Sequence, residues 1–291
     1  MDLRAIFMGL AFALMWSSAF TSARMIVADA PPLTALAFRF LISGIIGVAL
    51  ARMMGQSWKL SRAQWRATLI FGLCQNAIYL GLNFVAMRQI EASLASIIAS
   101  TMPLMVAFFG WLIRGDKLRP LGLAGLAAGV IGVALIMGAR LEGGVNLTGM
   151  ALCFAGALAL TVATLSVRSA AGGGNVMMIV GLQMFVGSAV LAVAAVLFEP
   201  WAVHWTPRLI GAFAYTTLVP GVLATWVWFL LVGRIGAIKA ATFHFLNPFF
   251  GVAVAALLLG EKLGVVDLIG VAIITAGILA VQLSKQPVTT S

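Results

Sequence analysis

The sequence predicts an all-α membrane protein of ten transmembrane helices, arranged as two inverted five-helix repeats. Three observations carry this reading: scarcity of charge, ten apolar runs of spanning length, and an internal repeat. Of 291 residues, 63% are hydrophobic and only 9% are charged, with 18 Lys and Arg against 8 Asp and Glu. Soluble domains carry about 25% charged residues, so a water-soluble globule of this length could not cover its surface. Disorder is excluded for the opposite reason, because low hydrophobicity is what keeps a chain unfolded. The net charge of +10 does not point to nucleic acid, since the basic residues are scattered between apolar runs rather than clustered on one face.

A spanning helix needs about 20 mostly apolar residues. Such runs cover 6–27, 33–51, 67–87, 92–113, 121–137, 147–167, 176–198, 209–232, 238–259 and 265–283. The first is read as a retained helix, because it exceeds the apolar core of a signal peptide and lacks a clear small-x-small cleavage site. The second holds Arg39, the one Lys or Arg away from the ends of a run, and the third a polar series, Gln75, Tyr79 and Asn83, four residues apart. The fourth, eighth and ninth runs are interrupted by Pro103, Pro220 and Pro248, and the ninth also carries His244 and Asn247. Glycines crowd the fifth (Gly122, Gly125, Gly129, Gly132) and recur in the tenth (Gly270, Gly277). Small residues let helix backbones approach closely, so these two helices are expected to pack or to form a homodimer contact, the chain being a monomer or homodimer. Cys74 and Cys153 both fall in apolar runs, and no disulfide is expected.

Connections are short, the longest being 52–66, so function sits within the helical bundle. Cytoplasmic loops are enriched in Lys and Arg. With both termini inside, Arg4, Arg52, Lys59, Arg62, Arg66, Arg114, Lys117, Arg119, Arg168, Arg234, Lys239 and Lys285 are cytoplasmic. Arg24, Arg88, Arg140, Arg208 and Lys262 fall outside, twelve against five.

A shift of 145 positions lays Ile90 on Ile235, Ala92 on Ala237, Pro103 on Pro248, Gly115 on Gly260, Lys117 on Lys262, Gly125 on Gly270 and Gly132 on Gly277. Two repeats follow, 1–138 and 147–284. Each holds five helices, an odd number, so the halves must enter the membrane with opposite polarity. Inverted repeats of this kind are a signature of secondary transporters.

The segment Met15-Trp16-Ser17-Ser18-Ala19-Phe20 resembles the first-helix signature of EamA-type permeases in the drug/metabolite transporter superfamily. So do Pro31-Pro32 followed by Phe38-Arg39-Phe40, and the two Pro…Gly-Asp/Glu-Lys-Leu…Gly units at Pro103 and Pro248. The chain is most similar to the bacterial aromatic amino-acid exporters of that superfamily. The resemblance implies a ten-helix basket around a central cavity, placed in the bacterial inner membrane and exporting amino acids from the cytoplasm by alternating access.

The acidic residues Asp2, Asp29, Glu91, Asp116, Glu142, Glu199, Glu261 and Asp267 all fall in loops or at helix ends. A cationic drug desolvated in a pocket would need a counter-ion, and a phosphate ester would want several intramembrane bases. A neutral or zwitterionic solute fits best. Arg39 is either a structural arginine or a gate and carboxylate contact. Proline removes the hydrogen bond to the carbonyl four residues earlier, freeing Ala99, Thr216 and His244, and such kinks in corresponding positions point to a transport site. The candidate substrate-binding residues are Trp16, Gln75, Tyr79, Asn83, Trp228, His244 and Asn247, with Pro103, Pro220 and Pro248 as kinks and Arg39 as the intramembrane charge. Trp and Tyr would stack an aromatic solute and attract its ammonium. His244 also leaves a proton-coupled cycle open. The expected partners are an amino-acid-like small molecule and membrane lipids. No catalytic or metal-ligand motif appears, so no enzyme activity, metal or cofactor is expected. The alternatives are export of other small metabolites or drugs, and flipping of a lipid-linked substrate.

Overall fold

A computed structural model describes residues 3–167 and 175–284; Asp2, Arg168 and Lys285 lie outside them. Among the described residues, regular structure is entirely helical. Ten helices are long and apolar enough to span a membrane: α1 (Leu3–Asp29), α2 (Pro32–Met53), α3 (Arg62–Ala86), α4 (Ala92–Ile113), α5 (Pro120–Glu142), α6 (Leu147–Ser166), α7 (Val176–Phe198), α8 (Pro207–Ile235), α9 (Lys239–Leu259) and α10 (Val265–Ser284). Each coincides with one apolar run of the sequence.

The chain forms two compact units, and each draws helices from both halves of the sequence. The first comprises Met1–Thr21, Glu91–Leu147 and Leu223–Ser291; the second comprises Ser22–Ile90 and Thr148–Val222.

In the first unit α5 and α10 lie against each other along a glycine seam. A Cβ built on Gly125 would stand 2.7 Å from the Gly277 carbonyl oxygen, and one on Gly132 would stand 2.9 Å from that of Gly270. Gly122 in turn meets Ser284. Ascending positions on α5 thus meet descending positions on α10, so the two helices are antiparallel. At one end of this seam Arg140 of α5 bonds Glu91 at 2.6 Å and Asp267 at 3.0 Å. Asp267, buried, also accepts from the Gly264 N–H. Glu261, just past α9, accepts from the Ala92 and Ser93 N–H groups at the start of α4.

The second unit repeats the pattern with α2 and α7. A Cβ on Gly47 would lie 3.1 Å from the Gly181 Cα. Glu199, at the end of α7, accepts from the Leu33 and Thr34 N–H groups that open α2, each at 2.8 Å. Gln56, past the end of α2, accepts from the Met178 N–H near the start of α7. These helices are antiparallel as well. Both seams join helices that the 145-residue shift makes counterparts.

Among the described residues, four helices depart from regular α geometry. In α4, Ala92–Ser100 and Met102–Arg114 are separated at Thr101; in α9, the turn Thr242–Leu246 is 3₁₀-helical. Pro103 and Pro248 each sit in the first turn of the following α segment, where proline is tolerated. In α8, Thr217–Leu223 is π-helical around Pro220. The fourth departure was not expected: Gly72–Tyr79 of α3 is π-helical with no proline inside it. A shift of 145 carries Gly72 onto Thr217, so both π segments occupy the same register of the repeat.

The seam makes a contrast measurable. Gly125→Ala pushes a methyl into the α10 backbone, whereas Gly138, with nothing within 4 Å of its Cβ position, has room for one. Overpacking costs about 1–3 kcal/mol, while alanine at an open helical glycine gains about 0.5–1 kcal/mol. Thermal unfolding of purified protein should show a lower Tm for Gly125→Ala and an equal or higher one for Gly138→Ala.

Candidate transport site

Four of the sequence-selected residues come together in the first unit. Phe12 and Trp16 are four residues apart on α1 and share a face. Trp228 comes from the last part of α8, and His244 from the 3₁₀ turn of α9. The His244 ring lies 5.3 Å from Phe12, 5.2 Å from Trp228 and 6.4 Å from Trp16, centroid to centroid. Phe12 in turn lies 4.8 Å from Trp228. Phe12 is buried, whereas Trp16, Trp228 and His244 remain half-exposed. Below them Ala5, Leu231, Ala240 and Phe243 form a buried floor.

One side of the imidazole is tied down. The Asn247 amide nitrogen lies 3.0 Å from His244 Nδ1, which fixes the ring and determines which nitrogen carries the proton. Asn247 Oδ1 is buried and has no hydrogen-bond partner. Aromatic faces attract cations and aromatic rings, and an unpaired amide oxygen accepts from N–H. The cluster is therefore suited to the ammonium and ring of a small solute. Phe12 was not singled out in the sequence; its position one turn before Trp16 is the signal that would have found it.

The α3 residues are placed differently from one another. Asn83 is fully buried and committed, donating to the Tyr79 carbonyl at 2.8 Å and accepting from the Cys153 thiol at 3.3 Å. Tyr79 is buried and Gln75 half-buried. The widened π turn brings Asn76 inward instead, where it donates to the Gln183 carbonyl at 2.9 Å. Cys74 and Cys153 are free thiols. Arg39, on α2, is buried with its guanidinium 5.3 Å from the Phe40 ring. Pro220 is buried in the π segment of α8. Pro103 and Pro248 belong to the first unit and mark the breaks in α4 and α9. Trp58, Trp65, Trp201 and Trp205 are exposed, as suits tryptophans that anchor helix ends at an interface.

The description "EamA-like transporter family" matches residues 3–138 and again 147–283. The chain belongs to the EamA-like transporter family. It is a multi-pass membrane transporter of the drug/metabolite superfamily and not an enzyme. It is 27% identical to the uncharacterized transporter YvbV of Bacillus subtilis over 92% of this chain and 88% of that one. Identity to the probable amino-acid metabolite efflux pump of Salmonella typhimurium is 25%, over 94% and 92%. The aromatic amino acid exporter YddG of Ancylobacter novellus is 27% identical over 48% of each chain. A crystal structure 21% identical to this chain superposes with a TM-score of 0.69, covering 96% of this chain and 98% of its own, and shows the shared fold.

The α3 placements separate packing from function. Asn83→Ala leaves the Tyr79 carbonyl and the Cys153 thiol without their partner, and should lower stability by about 1 kcal/mol, read as a fall in Tm. Gln75→Ala, at a half-buried site, should leave Tm unchanged.

Proposed function

We propose that this EamA-family transporter exports amino acids, aromatic or otherwise neutral and zwitterionic, from the cytoplasm across a bacterial inner membrane. The observation that carries the reading is the aromatic group of Phe12, Trp16, Trp228 and His244 beside the unpaired Asn247 oxygen. It offers stacking surface and ammonium acceptors without a fixed negative charge. The seven described carboxylates all stand at helix ends or in connections, which argues against a cationic drug as cargo. The relatives named as amino-acid exporters agree with this substrate class.

The transport cycle in this reading is alternating access between two inverted halves. The antiparallel pairing of α2 with α7 and of α5 with α10 supports the inversion. The charge distribution supports cytoplasmic termini. A homodimer through α5 and α10 would use their outward faces, such as Leu123 and Val130, because the seam glycines are occupied within the chain.

Purified protein in liposomes should take up labelled phenylalanine faster than a non-amino-acid control, with threonine carried as well. If neither amino acid is carried, the reading falls. Trp16→Ala and Tyr79→Ala should each reduce phenylalanine uptake about tenfold, the equivalent of about 1.4 kcal/mol. Trp205→Ala, at a residue 75% exposed, should leave it intact. Equal loss in all three would mean general destabilisation rather than a binding role.

A further inference from the structure

Arg39 lies about 10 Å along α2 from its first residue at 1.5 Å per residue, and it is only 7% exposed. Its Nε is buried with no hydrogen-bond partner. Among the described residues no carboxylate pairs with it: Glu91 and Asp267 engage Arg140, Asp29 engages Thr206 and Arg208, and Glu199 and Glu261 cap helix starts. One turn along the same face of α2, the Ser43 hydroxyl is likewise buried and unpartnered. Both groups are directed at one place on α8. A Cβ on Gly221 would stand 3.2 Å from the Thr216 carbonyl oxygen, 3.5 Å from Ser43 Oγ and 3.7 Å from Arg39 Nη2. That glycine follows Pro220 in the π segment Thr217–Leu223, and such irregular turns are frequent at functional sites. All of these residues belong to the second unit.

A structural arginine in an apolar span earns its place by bonding carbonyls or a counter-charge. The Arg39 Nε and the Ser43 hydroxyl, both buried without a partner, lack that compensation. We infer that Arg39 and Ser43, at the face of Gly221, form a binding point for a solute carboxylate. The planar guanidinium fork matches a carboxylate with two parallel hydrogen bonds, the serine hydroxyl donates a third, and the bound anion supplies the missing counter-charge. This inference rests on the amino-acid reading above and names the carboxylate as the group of that solute class that the second unit recognises.

The test uses 3-phenylpropionate, which has the carboxylate but no ammonium, and its amide, 3-phenylpropanamide, binding to the purified full-length protein. The wild type should bind the acid at least tenfold more tightly than the amide. Arg39→Gln should abolish that preference and Ser43→Ala should reduce it about threefold, with gel-filtration profiles unchanged. A wild type with no preference for the acid overturns the inference, and so does a folded Arg39→Gln that retains it. Should Arg39→Gln not fold, Arg39→Lys and Ser43→Ala decide, because an unchanged preference in both overturns it equally. Displacement of the acid by inorganic phosphate more effectively than by propionate would also overturn it. Acid preference in a protein that carries neither phenylalanine nor threonine would sustain this site while removing the amino-acid reading.

Discussion

In a hydrocarbon layer a backbone N–H or C=O has no water to bond, so every such group must find its partner inside the protein. Helical interiors satisfy this by themselves, but the first N–H groups of each helix do not. Two of the acidic residues meet that need directly. Glu199 accepts from the opening N–H groups of α2, and Glu261 does the same for α4. A carboxylate there also lies favourably at the positive end of the helix dipole. Gln56 performs the same bonding at α7 with a neutral amide. Carboxylates used at helix ends are not available in the apolar interior. The scarcity of charge that marks the chain as a membrane protein therefore also decides which solutes its interior suits.

The same constraint explains where the helices break. Opening a turn frees carbonyls, and side-chain hydroxyls from the preceding turn can take part of the load. Ser100 and Thr101 bond the carbonyls of Ser96 and Ile98 at the break in α4. Thr216 and Thr217 bond those of Ala212 and Phe213 where α8 turns π-helical. Local hydroxyls thus add bonds to carbonyls beside both irregular segments. Its recurrence in counterpart helices, α3 with α8 and α4 with α9, is difficult to attribute to accident. Proline accounts for three of these four departures. It does not account for Gly72–Tyr79, whose register matches that of the proline-bearing partner.

The ten spans, the glycine faces and the proline positions were all legible in the sequence, because each depends on local composition or on a residue with one strong backbone preference. What could not be read were facts created by distant chain segments. Nothing near Leu33 announces that Glu199 will cap it, and nothing in the Gln75, Tyr79 and Asn83 spacing reveals a π turn. That turn widens the helical repeat, so a stripe drawn at four-residue intervals drifts off its face: Asn76 becomes buried while Gln75 stays partly open. Asn83 illustrates a second limit. As a polar residue in an apolar helix it looked like pocket lining, yet its amide is engaged by Tyr79 and Cys153. The convergence of Trp16, Trp228, His244 and Asn247 joins residues more than 200 positions apart in the chain, beyond the reach of any local pattern.

The contrast between seams and breaks bears on how such a bundle would move. Along α5–α10 and α2–α7, backbone approaches backbone with no side chain between, and even one added methyl would meet a carbonyl oxygen or Cα at close to 3 Å. Contacts this close resist sliding, because interiors packed at crystal density do not deform continuously. The broken helices have the opposite character, with fewer regular backbone bonds to give up on bending. The chain passes from the second unit to the first between Val222 and Leu223, inside the π segment of α8. A bend within that segment would fall at Gly221, the position that Arg39 and Ser43 face within the second unit.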